Sequence, residues 1–389
     1  MRQERTSRYL CKRAGIPGQG SRGLKRIGII AGTIMAVIII GILLINGAEK
    51  ETDVTKEKTK VGLILNDSCT DRTWGQSHYE GLQKSAQDLN LEIIYEENVP
   101  EDATCIGVME NMIEEGCRVI ICDSLNYGDW ELQMAQKYPE VYFLHAGGTQ
   151  YAKNMSSYFG RIYQMRYLSG IVAGLQTQTN EIGYVAAYPV SEVNRGINAF
   201  TLGVRSVNEK ATVYVVWSDT WTEDEQTGAA TERLLAEHNI DVLAMHTNSL
   251  RVLEIAEKRG IWSIGYHLDN AERFPNTFLT APVWNWSSFY ERVIMECLQE
   301  KFVGKNYWEG VEDGLVELAP LTSHVVDGAA GKVEEAREQM EEGSYDVFYG
   351  PVYDQYGVLR VEAGENMSDE VLLNAFDWYV EGVVICEEE

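Results

Sequence analysis

The sequence predicts an α/β protein of two doubly wound lobes joined by a hinge, preceded by one transmembrane helix. Three observations predict it. Short apolar runs alternate with amphipathic stretches from residue 61 onward. That alternation restarts near residue 161. An uncharged run, residues 27–45, stands before both. Strands covered on both faces by crossover helices read as continuous apolar runs, the mark of a parallel sheet.

The first repeat gives strands at 61–66, 91–95, 119–123 and 141–145, with helices at 74–90, 101–115 and 128–138 between them. The second gives a helix at 161–178, then strands at 182–187, 213–217, 242–246 and 262–267, with helices at 191–208, 224–238 and 249–259. The tail is less regular: a strand at 278–283, helices at 287–302 and 331–342, and a hairpin at 347–359 with turn signals Gly350-Pro351 and Tyr356-Gly357. The organisation expected is a basic tail (1–26), an anchor or signal segment (27–46) and a linker (47–59). Lobe 1 follows at 60–158, joined by about 280–320, and lobe 2 at 159–279, joined by about 321–385.

The chain has 389 residues and a net charge of −26. Residues 1–26 carry +7, which leaves −33 for the rest. An acidic body lacks the basic footprint that nucleic acids require, so no nucleic-acid partner is expected. Basic residues before the apolar run put the N-terminus in the cytoplasm and the body on the extracytoplasmic side of the cell membrane, single-pass. A cleaved signal peptide competes, because Asn46-Gly47-Ala48 supplies small residues. No cysteine follows the run closely enough to carry a lipid.

The seven cysteines form no CxxC pair and match no zinc spacing, so neither metal nor cofactor is expected. His246 and His267 end strands without a second ligand at a recognisable spacing. No GxGxxG stands at a strand–helix turn, and neither a Walker A loop nor a GxSxG elbow occurs, so the chain reads as a binder rather than an enzyme.

Large aromatics fall just after the strand runs: Trp74, Tyr127, Trp221 and Trp284, with Asp71, Asn126, Asp269 and Asn285 beside them. Strand C-terminal ends are where open α/β sheets bind ligands. Aromatic faces ringed by a few polar groups suit a flat molecule with polar edges, such as a purine base. Asp71 also reads as a helix cap, and Asp269 as a turn residue. Arg195 and Asn198 lie early in a helix, facing either ligand or solvent.

The chain resembles the basic membrane protein family of ABC-transporter substrate-binding proteins, in its purine and purine-nucleoside group. The carrying segments are Asp71-Arg72-Thr73-Trp74, Ile182 to Tyr188 with Arg195-Gly196-Ile197-Asn198-Ala199-Phe200, and Gly265-Tyr266-His267-Leu268-Asp269. Val283-Trp284-Asn285-Trp286, Tyr349-Gly350-Pro351-Val352 and Asp377-Trp378-Tyr379-Val380-Glu381-Gly382 complete them. The Trp-rich versions look most like an adenine-binding branch. The resemblance implies a type I periplasmic-binding-protein fold and an ABC permease and ATPase on separate chains. It implies Asp71, Trp74, Asn126 and Tyr127 as ligand contacts from lobe 1, with Trp221 and Asp269 from lobe 2. Trp284 stands where nucleoside-binding members carry a Lys toward the ribose, which favours a bare base. A membrane-tethered ligand sensor and a nucleoside-cleaving enzyme are the alternatives.

Overall fold

The chain is described here from a computed structural model that covers residues 58–386. The expected tail, apolar span and most of the linker lie outside the described residues. Among the described residues no helix is long and apolar enough to cross a membrane.

The first sheet contains β1 (Thr59–Ile64), β2 (Leu91–Glu96), β3 (Cys117–Cys122), β4 (Tyr142–Ala146), β5 (Met155–Gly160) and β12 (Asn306–Glu309). The second contains β6 (Glu181–Ala186), β7 (Thr212–Trp217), β8 (Val242–His246), β9 (Trp262–Ile264), β10 (Phe278–Thr280) and β16 (Val383–Ile385). Their orders are β12-β5-β4-β3-β1-β2 and β10-β9-β8-β6-β7-β16. Every neighbouring pair is parallel. Each sheet thus reverses direction beside its first strand, and the crevice at that switch point is the usual ligand site.

Helices α1 (Trp74–Leu89), α2 (Cys105–Glu114) and α3 (Gly128–Lys137) cross over the first sheet. Helices α4 (Tyr163–Gln176), α5 (Ser191–Val207), α6 (Asp224–Glu237) and α7 (Arg251–Arg259) belong to the second. The chain then returns through β11 (Pro282–Trp284) and α8 (Trp286–Leu298) to β12, which adds to the first sheet. It crosses back through β13 (Val316–Leu318), which pairs antiparallel with β11. Helix α9 (Ala329–Glu341), a hairpin of β14 (Val352–Tyr353) and β15 (Leu359–Val361), and α10 (Asp369–Asn374) precede β16. Each sheet is therefore finished by a strand from late in the chain, so the lobes are tied by several crossings.

Two differences from the expected elements have physical causes. β5 was hidden because Ser156 and Ser157 interrupt its apolar run, although both are fully buried. The expected strand at 262–267 stops at Ile264, and His267 adopts a left-handed backbone (φ 69°). The core is continuous across α1, α4, α5 and α8, with a smaller cluster of Met109, Met112, Ile120, Tyr127, Met134 and Phe143 on the other face of the first sheet.

Candidate functional site

The strand ends deliver Asn66 after β1, Asp123 after β3, His246 at the end of β8, and Tyr266 and His267 after β9. The first turns of α1 and α5 add Trp74 and Glu192.

Trp74 stands at the centre. Its Nε1 donates to the Asp123 carbonyl at 2.8 Å. Its ring meets His78 at 4.3 Å, His267 at 5.5 Å and both Trp284 and Trp286 at 5.7 Å, all edge to face. Trp284 stacks on Trp286 at 4.6 Å and donates through Nε1 to His267 Nδ1 at 2.9 Å. His267 therefore carries its proton on Nε2, which donates to Asn248 Oδ1 at 3.0 Å. Burial lowers the His267 pKa well below the ordinary value, keeping the ring neutral. Phe159 closes the group, 5.2 Å from Trp284 and 6.1 Å from Trp74. Gly160 is required there, because a Cβ would lie 2.6 Å from Trp284 Cζ3.

The lobes touch. Trp74, from the first, meets His267 of the second, and Asn270 Nδ2 donates to the Arg72 carbonyl at 3.3 Å. This is a closed arrangement. Several polar atoms around it are buried with no hydrogen bond: Asp123 Oδ2, Asn66 Oδ1, His78 Nε2 and Arg195 Nε. Such atoms cost about 1–3 kcal/mol each unless an outside group meets them. Burial pushes the Asp123 carboxyl well above the ordinary range, so it is poised as a donor as well as an acceptor.

The expected contact residues divide. Trp74 and Trp284 are together in the cluster. Arg195 borders it, 5.8 Å from the Phe159 ring. Trp221 lies on the second-lobe side, 6.0 Å from Tyr188 and 6.4 Å from His246, and is not among the rings that meet Trp74. Asp71 is engaged locally, its carboxylate accepting from the amides of Thr73, Gly75 and Gln76 and from Thr73 Oγ1 at 2.8–2.9 Å. It holds the start of α1, and so the backbone under Trp74, instead of facing the cluster. Asn126 is exposed and donates to Glu101 at 3.0 Å. Tyr127 is fully buried, and its hydroxyl donates to the Val99 carbonyl at 2.6 Å, so it is core rather than a wall. Asn198 is also fully buried. It pins the C-terminal segment through the Trp378 carbonyl (2.7 Å) and the Val380 amide (2.9 Å). Asp269 is exposed and caps its own turn at Ala271 N.

Asp123, Phe159, Glu192 and His267 were not among the expected contacts. An acidic residue closing an apolar strand, as in Val119 to Asp123, was the one available signal.

A second buried carboxyl lies behind Asp123. Glu131 on α3 is fully buried and neither oxygen has a hydrogen-bond partner, so burial raises its pKa well above the ordinary value. The unfolded chain releases that proton above about pH 4.5 while the fold retains it, so its contribution to stability falls as pH rises. Glu131→Gln removes the loss. Thermal unfolding should show a gain over the parent that grows by about 1–3 kcal/mol between pH 5 and pH 8. A gain that does not grow with pH would show that Glu131 is ionised in the fold.

An open depression of about 630 Å³ is lined by Arg161, Gln164, Tyr345, Asp346 and Asp369 among others, and by none of the rings that meet Trp74. Its cation is already satisfied, Arg161 pairing with Asp369 at 2.9 Å and with the Tyr163 hydroxyl at 3.1 Å. The aromatic cluster, where both lobes and the orphaned polar atoms meet, is the better site. Among the described residues no group of three or more His, Cys, Asp or Glu could hold a metal.

Two parallel-sheet lobes meeting at an aromatic cluster are the architecture expected of a solute-binding protein. The model of the family described as ABC transporter substrate-binding protein PnrA-like matches residues 58–343, and the chain belongs to that family, called Bmp. It is 33% identical over 330 residues to a purine-binding protein of Brucella abortus, covering 84% of this chain and 93% of the relative. It is 32% identical over 315 residues to a putative ABC transporter glucose-binding protein of Haloferax volcanii, covering 80% and 77%. Among solved structures, an ABC transporter solute-binding protein from Conexibacter woesei aligns with a TM-score of 0.65 at 16% identity. It covers 74% of this chain and 98% of that one, and supports the fold. The chain is thus a Bmp-family ABC substrate-binding protein.

Proposed function

We propose that this protein captures a purine base, adenine-like, between its lobes and delivers it to an ABC importer whose permease and ATPase are separate chains. The observation that carries this is the convergence of Trp74, Phe159, His267 and Trp284 on one another, with Asp123 and Arg195 atoms left unpaired beside them. Stacking on aromatic faces is worth about 1–3 kcal/mol per base and accepts any flat ring. The unpaired polar atoms supply the edge contacts. By the family resemblance Trp284 would stand where nucleoside-binding members carry a lysine toward the ribose, and that supports a base over a nucleoside. The naming of the Brucella relative as purine-binding supports the same class. Residues 27–46 would hold the binding body on the extracytoplasmic side. Binding, not turnover, is the activity proposed.

Calorimetry with adenine, guanine, xanthine, adenosine, inosine and glucose tests it. Adenine should bind with a dissociation constant below about 100 μM, a free energy stronger than about −5.5 kcal/mol. Glucose belongs in the panel because of the Haloferax relative. Tight glucose binding without purine binding would overturn the reading, and release of a base from adenosine would restore the enzyme alternative.

A further inference from the structure

We propose that Arg166, Glu192 and Arg195 form a subsite that reads the edge of a 6-aminopurine, two guanidinium donors bracketing one carboxylate acceptor. This rests on the purine-base reading above.

Arg166, on α4, is fully buried. Its Nη1 donates to the Met245 carbonyl at 2.8 Å, and its guanidinium lies 3.8 Å from the Tyr266 ring centre. Nε and Nη2 have no hydrogen bond. Arg195, on α5, is 3% exposed. Its Nη1 donates to the Leu372 carbonyl at 3.0 Å, and its guanidinium lies 4.9 Å from the Trp308 ring and 5.8 Å from that of Phe159. Its Nε is also unpaired.

Glu192 lies one turn before Arg195 on the same helix face. Its Oε1 is taken, 3.1 Å from His246 Nε2 and 3.4 Å from the Tyr266 hydroxyl. Its Oε2 makes no hydrogen bond within the described residues, and the side chain is 22% exposed. His246 Nδ1 accepts from the Tyr184 hydroxyl at 2.9 Å, which leaves Nε2 to donate to Glu192. Burial acts against the Glu192 charge, but His246, Arg195 and Arg166 outweigh it and bring the pKa down to about 2. Burial brings His246 down to about 4, with Arg166 acting in the same sense. At neutral pH the carboxylate is ionised and the imidazole is not. Gly196 allows the approach of α5 to β8, because a Cβ there would meet His246 Cε1 at 2.7 Å.

These three side chains have their structural bonds and keep spare capacity of alternating kind. Buried guanidinium N–H groups with no acceptor are costly, and the fold retains them where an outside acceptor arrives. Phe159 joins the subsite to the stacking cluster, lying against both Arg195 and Trp74. Adenine presents an acceptor (N1), a donor (the 6-amino group) and an acceptor (N7) along one edge. That is the complement of donor, carboxylate, donor. Hypoxanthine would turn O6 toward the Glu192 carboxylate and its N1–H toward a guanidinium.

Calorimetry on the full chain with adenine, hypoxanthine and unsubstituted purine tests the assignment. Adenine should bind the parent protein about tenfold or more tightly than either, the cost of one unmet buried group. Glu192→Gln can turn its amide N–H toward O6, so the adenine-to-hypoxanthine ratio should shrink by about tenfold or more. The parent comparison does not depend on the variant folding. Hypoxanthine or purine binding the parent within about threefold of adenine, or a folded Glu192→Gln protein with an unchanged ratio, would overturn the subsite while leaving base capture intact. Failure of every base to bind the parent would overturn both.

Discussion

Gly203→Ala should destabilise the protein by about 3 kcal/mol or more, in spite of alanine's higher helix propensity. The reason is the crossing of α4 and α5. A Cβ on Gly203 would run into the Tyr167 carbonyl oxygen, and a Cβ on Gly170 into that of Phe200. Gly174 repeats the pattern, 2.6 Å from the Val204 carbonyl oxygen. The obstacles are backbone atoms, which cannot rotate away as a flexible side chain can. The helices would have to separate, opening gaps around Leu168, Ile171, Phe200 and Val204, which are buried. The same movement shifts Arg166 on α4 and Glu192 and Arg195 on α5, so a folded remnant should also bind ligand poorly. Denaturant unfolding gives the measurement, a lower midpoint at unchanged slope. Gly331→Ala is the control. It lies in α9 with nothing within 4 Å of an added Cβ, and should gain about 0.5–1 kcal/mol. Equal stability of Gly203→Ala and the parent would mean that the two helices are not packed this closely.

That crossing also shows what the sequence conveyed and what it withheld. Both helices were legible, because apolar spacing marks a helix well. Their mutual approach was not, because a glycine inside a helical pattern has several possible reasons, and the collision partner lies far away in sequence. β6 to β8 were clear as unbroken apolar runs. β5, with its two buried serines, and β16, a short run at the chain end, were not. At the site, the tryptophans were legible as aromatics at strand ends. Tyr127 obeyed the same rule and still turned inward, because the short 3₁₀ turn at Leu125–Tyr127 points it under the sheet toward Val99. Asn198 sits one helical turn beyond Arg195, yet its amide is matched to backbone from the last crossing. No local pattern foretells a partner some 180 residues away. Burial of Asp123 and Glu131 was invisible for the same reason, since depth is a property of the assembled sheet.

Trp74→Ala is expected to weaken adenine binding by about 1–3 kcal/mol, roughly 5- to 150-fold, the worth of one stacked base. The residue gathers interactions from several elements: the Asp123 carbonyl and His78 from its own lobe, His267 from the other, and Trp284 from the strand on which the chain returns to the first lobe. Truncation removes the ring face and also leaves a hole between the lobes, so stability should fall by about 3 kcal/mol. The two effects separate with Trp74→Phe. Phenylalanine keeps a ring for stacking and loses only the bond from Nε1 to the Asp123 carbonyl, so affinity should stay within a factor of about five of the parent, the net worth of one neutral hydrogen bond. If Trp74 is only a wedge in the core, both variants will melt earlier and the folded fraction of each will bind adenine as the parent does. If the ring is the stacking face, affinity will follow its presence. Closure adds a further consequence. Trp74 meets His267 of the other lobe, so its loss should weaken the hold of the two lobes on each other around a bound base. The loss should therefore appear as faster dissociation more than slower association, because a base enters between parted lobes and the contacts of Trp74 act once they meet around it.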